Sequence, residues 1–333
     1  MIRTALLLAA AAMALVAVPQ VTLAAAPQVG VIQNFGPNLL ADCPNPEGIA
    51  IDPTGNLYAA SFPAFQAGHT GSANICVISP AGVLTDKIVV PPGPAGVTNL
   101  LGELFEPGQG LYVVDFASGA PGFGRLLRVD PATHSITTLA TRFAAANAIA
   151  QDRHRNLFVS DSFEGNIVKV APDGSSNSVW VSSSLLVPHG FPPFGANGVA
   201  FDRDQKNMYV ANTADDTIVR IPVLDDGSAG TPVVFAAGSD ATGALDGADG
   251  IMFDVNGNLY VCANQANEIQ VLAPDGTLVA RYKGLGANAL DFPASLVFKG
   301  RDLYITNLSL FDGGVHSKLS VMVAPNPGLP LRP

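Results

Sequence analysis

The sequence predicts an all-β chain: a six-bladed β-propeller of four-stranded antiparallel blades, with the last blade closed by the N-terminal strand. Three observations predict it. First, a phrase made of an apolar run, a polar turn and a second apolar run occurs six times, opening on a polar residue at Glu47, Asn147, Asn197 and Asp249 and in two weaker copies at Leu101 and Ala294. Second, the steps between openings are 54, 46, 50, 52 and 45 residues, the spacing of a repeat array rather than of unrelated domains. Third, copies one, three and five continue past the hairpin into two more β-rich runs around Pro80-Ala81-Gly82, Pro172-Asp173-Gly174 and Pro274-Asp275-Gly276. In such turns Pro presets φ and Gly takes the left-handed position, so each unit carries four strands.

Taken in order, the chain begins with Arg3, an apolar run from Ala5 to Val18 and small residues at Ala24, Ala25 and Ala26. This predicts a secretory signal peptide over 1–25, cut after Ala24 or Ala25, and a secreted or periplasmic protein free of the membrane after cleavage. Residues 26–333 are expected to form one propeller, its blades starting near 47, 101, 147, 197, 249 and 294. The last repeat has one strand too few, Lys318 to Val323 following Leu303 to Asn307. Gln28 to Phe35 is a spare strand that would complete it and join the ends of the ring. Cys43 precedes the first repeat and Cys76 lies in its third strand, so the two could meet as a disulfide, leaving Cys262 as a buried thiol. The irregular stretch Leu185 to Ala196 leads directly into Asn197, a placement that suits a functional loop.

Hydrophobic residues make up 48% of the chain and charged residues 13%, which suits a large core with short polar loops. The formal net charge of −10 argues against a nucleic-acid partner, because phosphate binding needs a basic surface. There is no Gly-x-Ser-x-Gly elbow, no phosphate-cradling Gly-Lys loop and no Cys/His spacing of a zinc site.

In a propeller the first strand of each blade lines the central channel, so the opening residues converge on one axis. Glu47, Asn147, Asn197 and Asp249 bring four oxygen donors and two negative charges there. That donor set suits one hard divalent cation, Ca²⁺ first, with Zn²⁺, Mn²⁺ and Mg²⁺ as alternatives. The same mouth receives the loops that carry His189, His69 and His316, and the strand ends at Asp161 and Asn212. His189 is a candidate base, and the other four are candidate substrate contacts or supports. His134 and His154 are expected in solvated turns at the opposite face.

Pro46-Glu47-Gly48, Asn147-Ala148-Ile149-Ala150, Ala196-Asn197-Gly198-Val199, Ala248-Asp249-Gly250-Ile251 and Phe292-Pro293-Ala294-Ser295-Leu296 resemble the motifs of one family. It is the senescence-marker-protein (regucalcin), gluconolactonase and luciferin-regenerating-enzyme-like family. The resemblance extends over nearly all of the mature chain. It implies a six-bladed propeller with Glu, two Asn and Asp around a divalent metal, and hydrolysis of a small-molecule lactone or related ester. Asp249 would then be metal ligand and general base, or ligand alone. A non-catalytic propeller akin to NHL-repeat modules, binding a protein or carbohydrate, is the reading from another class. Paraoxonase-like or strictosidine-synthase-like chemistry would keep the metal and change the reaction.

Overall fold

In the computed structural model of the protein, residues 28–66, 69 and 71–330 are described. The predicted signal peptide at 1–25 lies outside them. The described residues form six four-stranded antiparallel sheets arranged as a β-propeller. Blade 1 is β2–β5 (Pro46–Ile51, Leu57–Ser61, Ala73–Ile78, Leu84–Val90), and blade 2 is β6–β9 (Leu100–Glu106, Gly110–Asp115, Gly124–Val129, Ile136–Phe143). Blade 3 is β10–β13 (Ala146–Gln151, Leu157–Asp161, Asn166–Val170, Asn177–Ser182). Blade 4 is β14–β17 (Ala196–Phe201, Asn207–Asn212, Thr217–Pro222, Val233–Ala237). Blade 5 is β18–β21 (Ala248–Phe253, Leu259–Ala263, Glu268–Leu272, Leu278–Tyr282). Blade 6 is β22–β24 (Pro293–Lys299, Asp302–Asn307, Lys318–Val323) completed by β1, Gln33–Phe35.

The closing strand pairs antiparallel with β24, Gln33 opposite Val321 and Phe35 opposite Leu319. It is shorter than the predicted Gln28–Phe35. The chain turns at Gly30, whose φ of 77° suits glycine, and a Cβ there would stand 2.7 Å from Cε1 of Tyr282. Upstream only Val29 bridges β24, in parallel sense.

Second strands are buried along their whole length in β3, β11 and β19 and at all but the first residue in β7, β15 and β23, because both their faces meet neighbouring blades. The outermost strands alternate, as β5 does. At the face opposite the strand starts, four inner hairpins share one device. Asp52, Asp152, Asp202 and Asp254 each accept turn N–H groups and the side-chain amide of Asn56, Asn156, Asn207 or Asn258 at 2.7–2.9 Å. His154 sits in one of these turns. His134, in another turn of that face, pairs with Asp86 at 2.8 Å.

Cys43 and Cys76 are joined, and both are fully buried. Cys262 is a buried free thiol.

Candidate metal centre at the channel mouth

Every inner strand carries the same irregularity. Pairing with the second strand is regular up to Pro46, Leu100, Ala146, Ala196, Ala248 and Pro293, then skips two residues in each blade. The skipped pairs are Glu47-Gly48, Leu101-Gly102, Asn147-Ala148, Asn197-Gly198, Asp249-Gly250 and Ala294-Ser295. A bulge re-aims the side chain it carries, and these six bulges set one residue of each blade around the axis. The glycines after the ring residues follow from close approach. A Cβ on Gly48 would stand 2.1 Å from the Leu101 carbonyl oxygen, and one on Gly198 would stand 2.3 Å from that of Asp249.

Hydroxyls on the second strands lock this arrangement. Ser160 accepts from the bulge N–H of Ala148 at 2.9 Å and donates to the Asn197 carbonyl at 2.7 Å. Thr306 accepts from Ser295 N at 2.9 Å and donates to the Glu47 carbonyl at 2.7 Å, so it latches blade 6 to blade 1. Thr213 accepts from the Asn197 amide at 2.8 Å and donates to the Ala248 carbonyl at 2.7 Å.

Glu47, Asn147, Asn197 and Asp249 are all buried, at 3–4% exposure. Asp249 Oδ2 accepts from Asn264 at 3.0 Å, whereas Asp249 Oδ1 and Glu47 Oε2 are buried without a hydrogen-bond partner. Burial raises the Asp249 carboxyl to about 7 against the hydrogen bonds of Asn264 and Asn197. Burial, then Asp249, then Glu103 push Glu47 well above the carboxylate range. Orphaned buried carboxylate oxygens are costly, and a cation between them removes the cost. The donor set is all oxygen, from two carboxylates and two amides, so a hard divalent ion fits it.

The other predicted residues are spread around the same mouth. His189 is 60% exposed and pairs through Nδ1 with Asp215 at 2.8 Å. His316 Nδ1 lies 3.0 Å from Asp291 and 2.6 Å from Asp312. His69 Nε2 is buried without a hydrogen-bond partner. Asp161 and Asn212 are buried and hold incoming backbone. Asp161 accepts from Ala144 and Ala145 N at 2.7 and 3.0 Å, and Asn212 donates to the carbonyls of Leu185 and Val187 at 3.0 and 3.1 Å.

Three features escaped the sequence reading. Glu103 takes the register position held by Ile49, Ile149, Val199, Ile251 and Leu296 in the other blades, and both its oxygens are buried without a partner. It lines a cavity of about 250 Å³ on the far side of the ring, which Leu329 and Pro330 of the C-terminal stretch also line. Burial raises its carboxyl well above the usual range. An acid in an otherwise apolar column was the available signal. Cys262 lies near the ring carboxylates, and burial, then Asp249 and Glu47, hold its thiol protonated. Asn264 had no signal, because its role depends on the end of β19 meeting the start of β18.

Residues 193–309 match the family model described as the SMP-30/gluconolactonase/LRE-like region, the family whose motifs the sequence resembles. No curated protein sequence matches the chain. Its fold is similar to that of a gluconolactonase from Xanthomonas campestris, with 18% identity, TM-score 0.60, and coverage of 85% of this chain and 87% of that one. It is also similar to a calcium-binding protein, regucalcin, from Agrobacterium tumefaciens, with 17% identity, TM-score 0.61 and coverage of 91% and 94%. A luciferin-regenerating enzyme gives 16% identity, TM-score 0.64 and coverage of 91% and 99%.

Proposed function

We propose that this chain is an exported, divalent-metal-dependent hydrolase of a lactone or related ester, with its site at the axial ring. One observation carries the reading. At equivalent bulges of four blades the chain places two carboxylates and two amides, and one oxygen of each carboxylate is buried with no hydrogen-bond partner. The family match over 193–309 supports the reaction class, and it spans two of the four residues, Asn197 and Asp249. The buried Cys43–Cys76 bridge supports export, since such bonds persist in oxidising compartments.

Glu47, Asn147, Asn197 and Asp249 would hold the ion, Ca²⁺ first among the candidates. A divalent cation there supplies Lewis-acid polarisation of the ester carbonyl. The protein's own groups do the rest. Asn264 fixes Asp249 through Oδ2 and leaves Oδ1 for a ligand or a proton. The Asp249 carboxylate would take the proton of an attacking water through the oxygen that Asn264 leaves unpartnered. Thr213 orients Asn197 by accepting its amide N–H, so the amide oxygen would be the atom offered to the ion. His189, set by Asp215, is the alternative base at the rim.

The test is thermal unfolding of chelator-treated protein with Ca²⁺, Mg²⁺, Mn²⁺ or Zn²⁺, run beside Asp249→Ala. An ion at about a hundred times its dissociation constant stabilises by roughly 2.7 kcal/mol, a shift of a few degrees in a chain of this size. The expected result is such a shift in wild type and none in the variant. If no ion shifts the wild type, the metal and the hydrolase reading both fall and a non-catalytic binding propeller takes their place.

A further inference from the structure

The ring of six positions has two kinds of wall. Asn147, Asn197 and Asp249 form a polar arc over blades 3 to 5. On the other side Glu47 stands between two apolar positions, Leu101 and Ala294. These two belong to the same buried cluster as Phe62, Phe116, Phe292 and Leu308, with Phe163 and Phe194 packed against it.

All five phenylalanines sit at the channel mouth by position in the chain. Phe62, Phe116 and Phe163 follow the ends of second strands, whereas Phe194 and Phe292 precede inner strands. Phe116 is the hub, its ring centroid 5.6 Å from Phe62, 5.7 Å from Phe163 and 5.9 Å from Phe194. Phe163 and Phe194 lie 5.6 Å apart. On the far side Phe311, 72% exposed, packs edge-on against Phe292 at 5.2 Å. The rings therefore run in an arc from blade 1 to blade 4 and again in blade 6.

The amide donors beside the phenylalanines are committed to backbone. Asn45 donates to the carbonyls of Leu308 and Ser309, Asn99 to that of Ala117, and Asn212 to those of Leu185 and Val187. A polyhydroxylated substituent laid on the phenyl rings would lose water to surfaces that offer no hydrogen bond, which is unfavourable. An aryl or alkyl substituent would gain burial and edge-to-face contacts.

We propose that the substrate is a lactone or ester with an apolar substituent, its carbonyl at the ring of Glu47, Asn147, Asn197 and Asp249 and its alkyl or aryl group on the phenylalanines of the mouth. This rests on the hydrolase reading above and adds the substrate class. Phe163 and Phe194 are the two cluster rings that keep partial exposure, so they are the ones that first meet an incoming substituent.

The experiment measures kcat/KM of the full, calcium-loaded chain on γ-lactones with side chains from methyl to hexyl, a phenyl-substituted γ-lactone and D-glucono-δ-lactone. The same compounds made as non-hydrolysable lactams are titrated by calorimetry. Expected are a rise of about fourfold per methylene, the sugar lactone last, and a parallel rise in lactam affinity. Phe194→Ala should lower the phenyl and hexyl members roughly tenfold and flatten the series, with calcium-induced stabilisation retained. Phe194→Leu should restore most of the slope. Preference for the sugar lactone, or a series flat with chain length, overturns the proposal. If no lactone is hydrolysed, the hydrolase reading fails and the lactam titration decides alone. Length-dependent binding lost in Phe194→Ala keeps the apolar site, and absent or length-independent binding removes it.

Discussion

Asp249 is supported on one oxygen and orphaned on the other, and Glu47 shares the orphaned half of that pattern. Such a pair should act with opposite sign in the two states of the protein. Without metal, burial holds both carboxyls far from their ordinary acidity, a cost that Glu47→Gln or Asp249→Asn removes, so each variant is expected to gain about 1–3 kcal/mol in chelated denaturant unfolding at neutral pH. With calcium present each should lose its ion-dependent stabilisation. A variant that is weaker in both states would mean the carboxylate is structural. Glu103 gives a simpler case, since an acid stands where the other blades hold Ile, Val or Leu. Glu103→Leu is expected to stabilise the chain by about 1–3 kcal/mol at neutral pH. A loss of similar size would mean that the carboxylate has a partner. The four ring residues were legible in the sequence because repetition itself singles out the column. Glu103 was not, because the second copy, LGELFEPGQGLYVV, is the least regular and its acid reads there as ordinary hairpin polarity.

The element that makes the ring is the bulged inner strand. Polar residues before glycine were legible at Glu47-Gly48, Asn197-Gly198 and Asp249-Gly250, but their reason was not, since turn chemistry explains the same dipeptides. The glycines in fact admit the carbonyl of the next blade. Gly198→Ala would set a Cβ 2.3 Å from the Asp249 carbonyl oxygen, a backbone atom held in a sheet. The expected cost is about 1–3 kcal/mol together with weaker calcium binding, because the push falls on the residue that bears the ligand. Denaturant midpoints and calcium titration of Gly198→Ala check this, and Gly227→Ala is the control. Gly227 isolates the backbone contribution, because its φ of 78° is positive, as that of Gly198 is not, and a Cβ there meets nothing within 4 Å. If Gly198→Ala costs no more than Gly227→Ala and leaves calcium binding intact, blade contact does not set the cost. The closing strand shows the same limit on reading. Apolar content marked Gln28 to Phe35, but only pairing geometry showed that Gly30 breaks it to leave Gln33–Phe35.

Across the whole molecule the ring is closed two ways, by β1 on β24 and by Thr306 on the Glu47 carbonyl, while the C-terminal stretch returns to blade 5 and bridges Gly328 to Asp254. The repeat count predicted the first closure. The second closure and the C-terminal bridge rest on contacts between residues far apart in sequence, which no local pattern records. Charge is also distributed by face. Asp130, Asp173 and Asp275, in turns opposite the mouth, are lowered by hydrogen bonds from Ala132, Ser175 and Thr277, so their contribution exists above the ordinary carboxyl range and fades as acid protonates them. At the mouth, Asp216, Asp240 and Asp246 crowd together, with Arg281 bound nearby to the Thr242 carbonyl. Burial first, then Asp240 and Asp246, raises Asp216 to about 7, while the Gly247 N–H works against the rise. A raised carboxyl gives stability that is complete below its unfolded value near 4 and is lost as pH climbs to about 7. A net charge of −10 adds repulsion in the same direction. Chelated protein should therefore be most stable on the acid side of neutrality, with a denaturant midpoint that falls between pH 4.5 and 7.5. Asp216→Asn should flatten that fall, because an amide at 216 has no proton to lose and cannot repel Asp240 or Asp246. A variant whose midpoint follows the wild-type curve in parallel would place the pH dependence elsewhere, in the carboxylates of the ring.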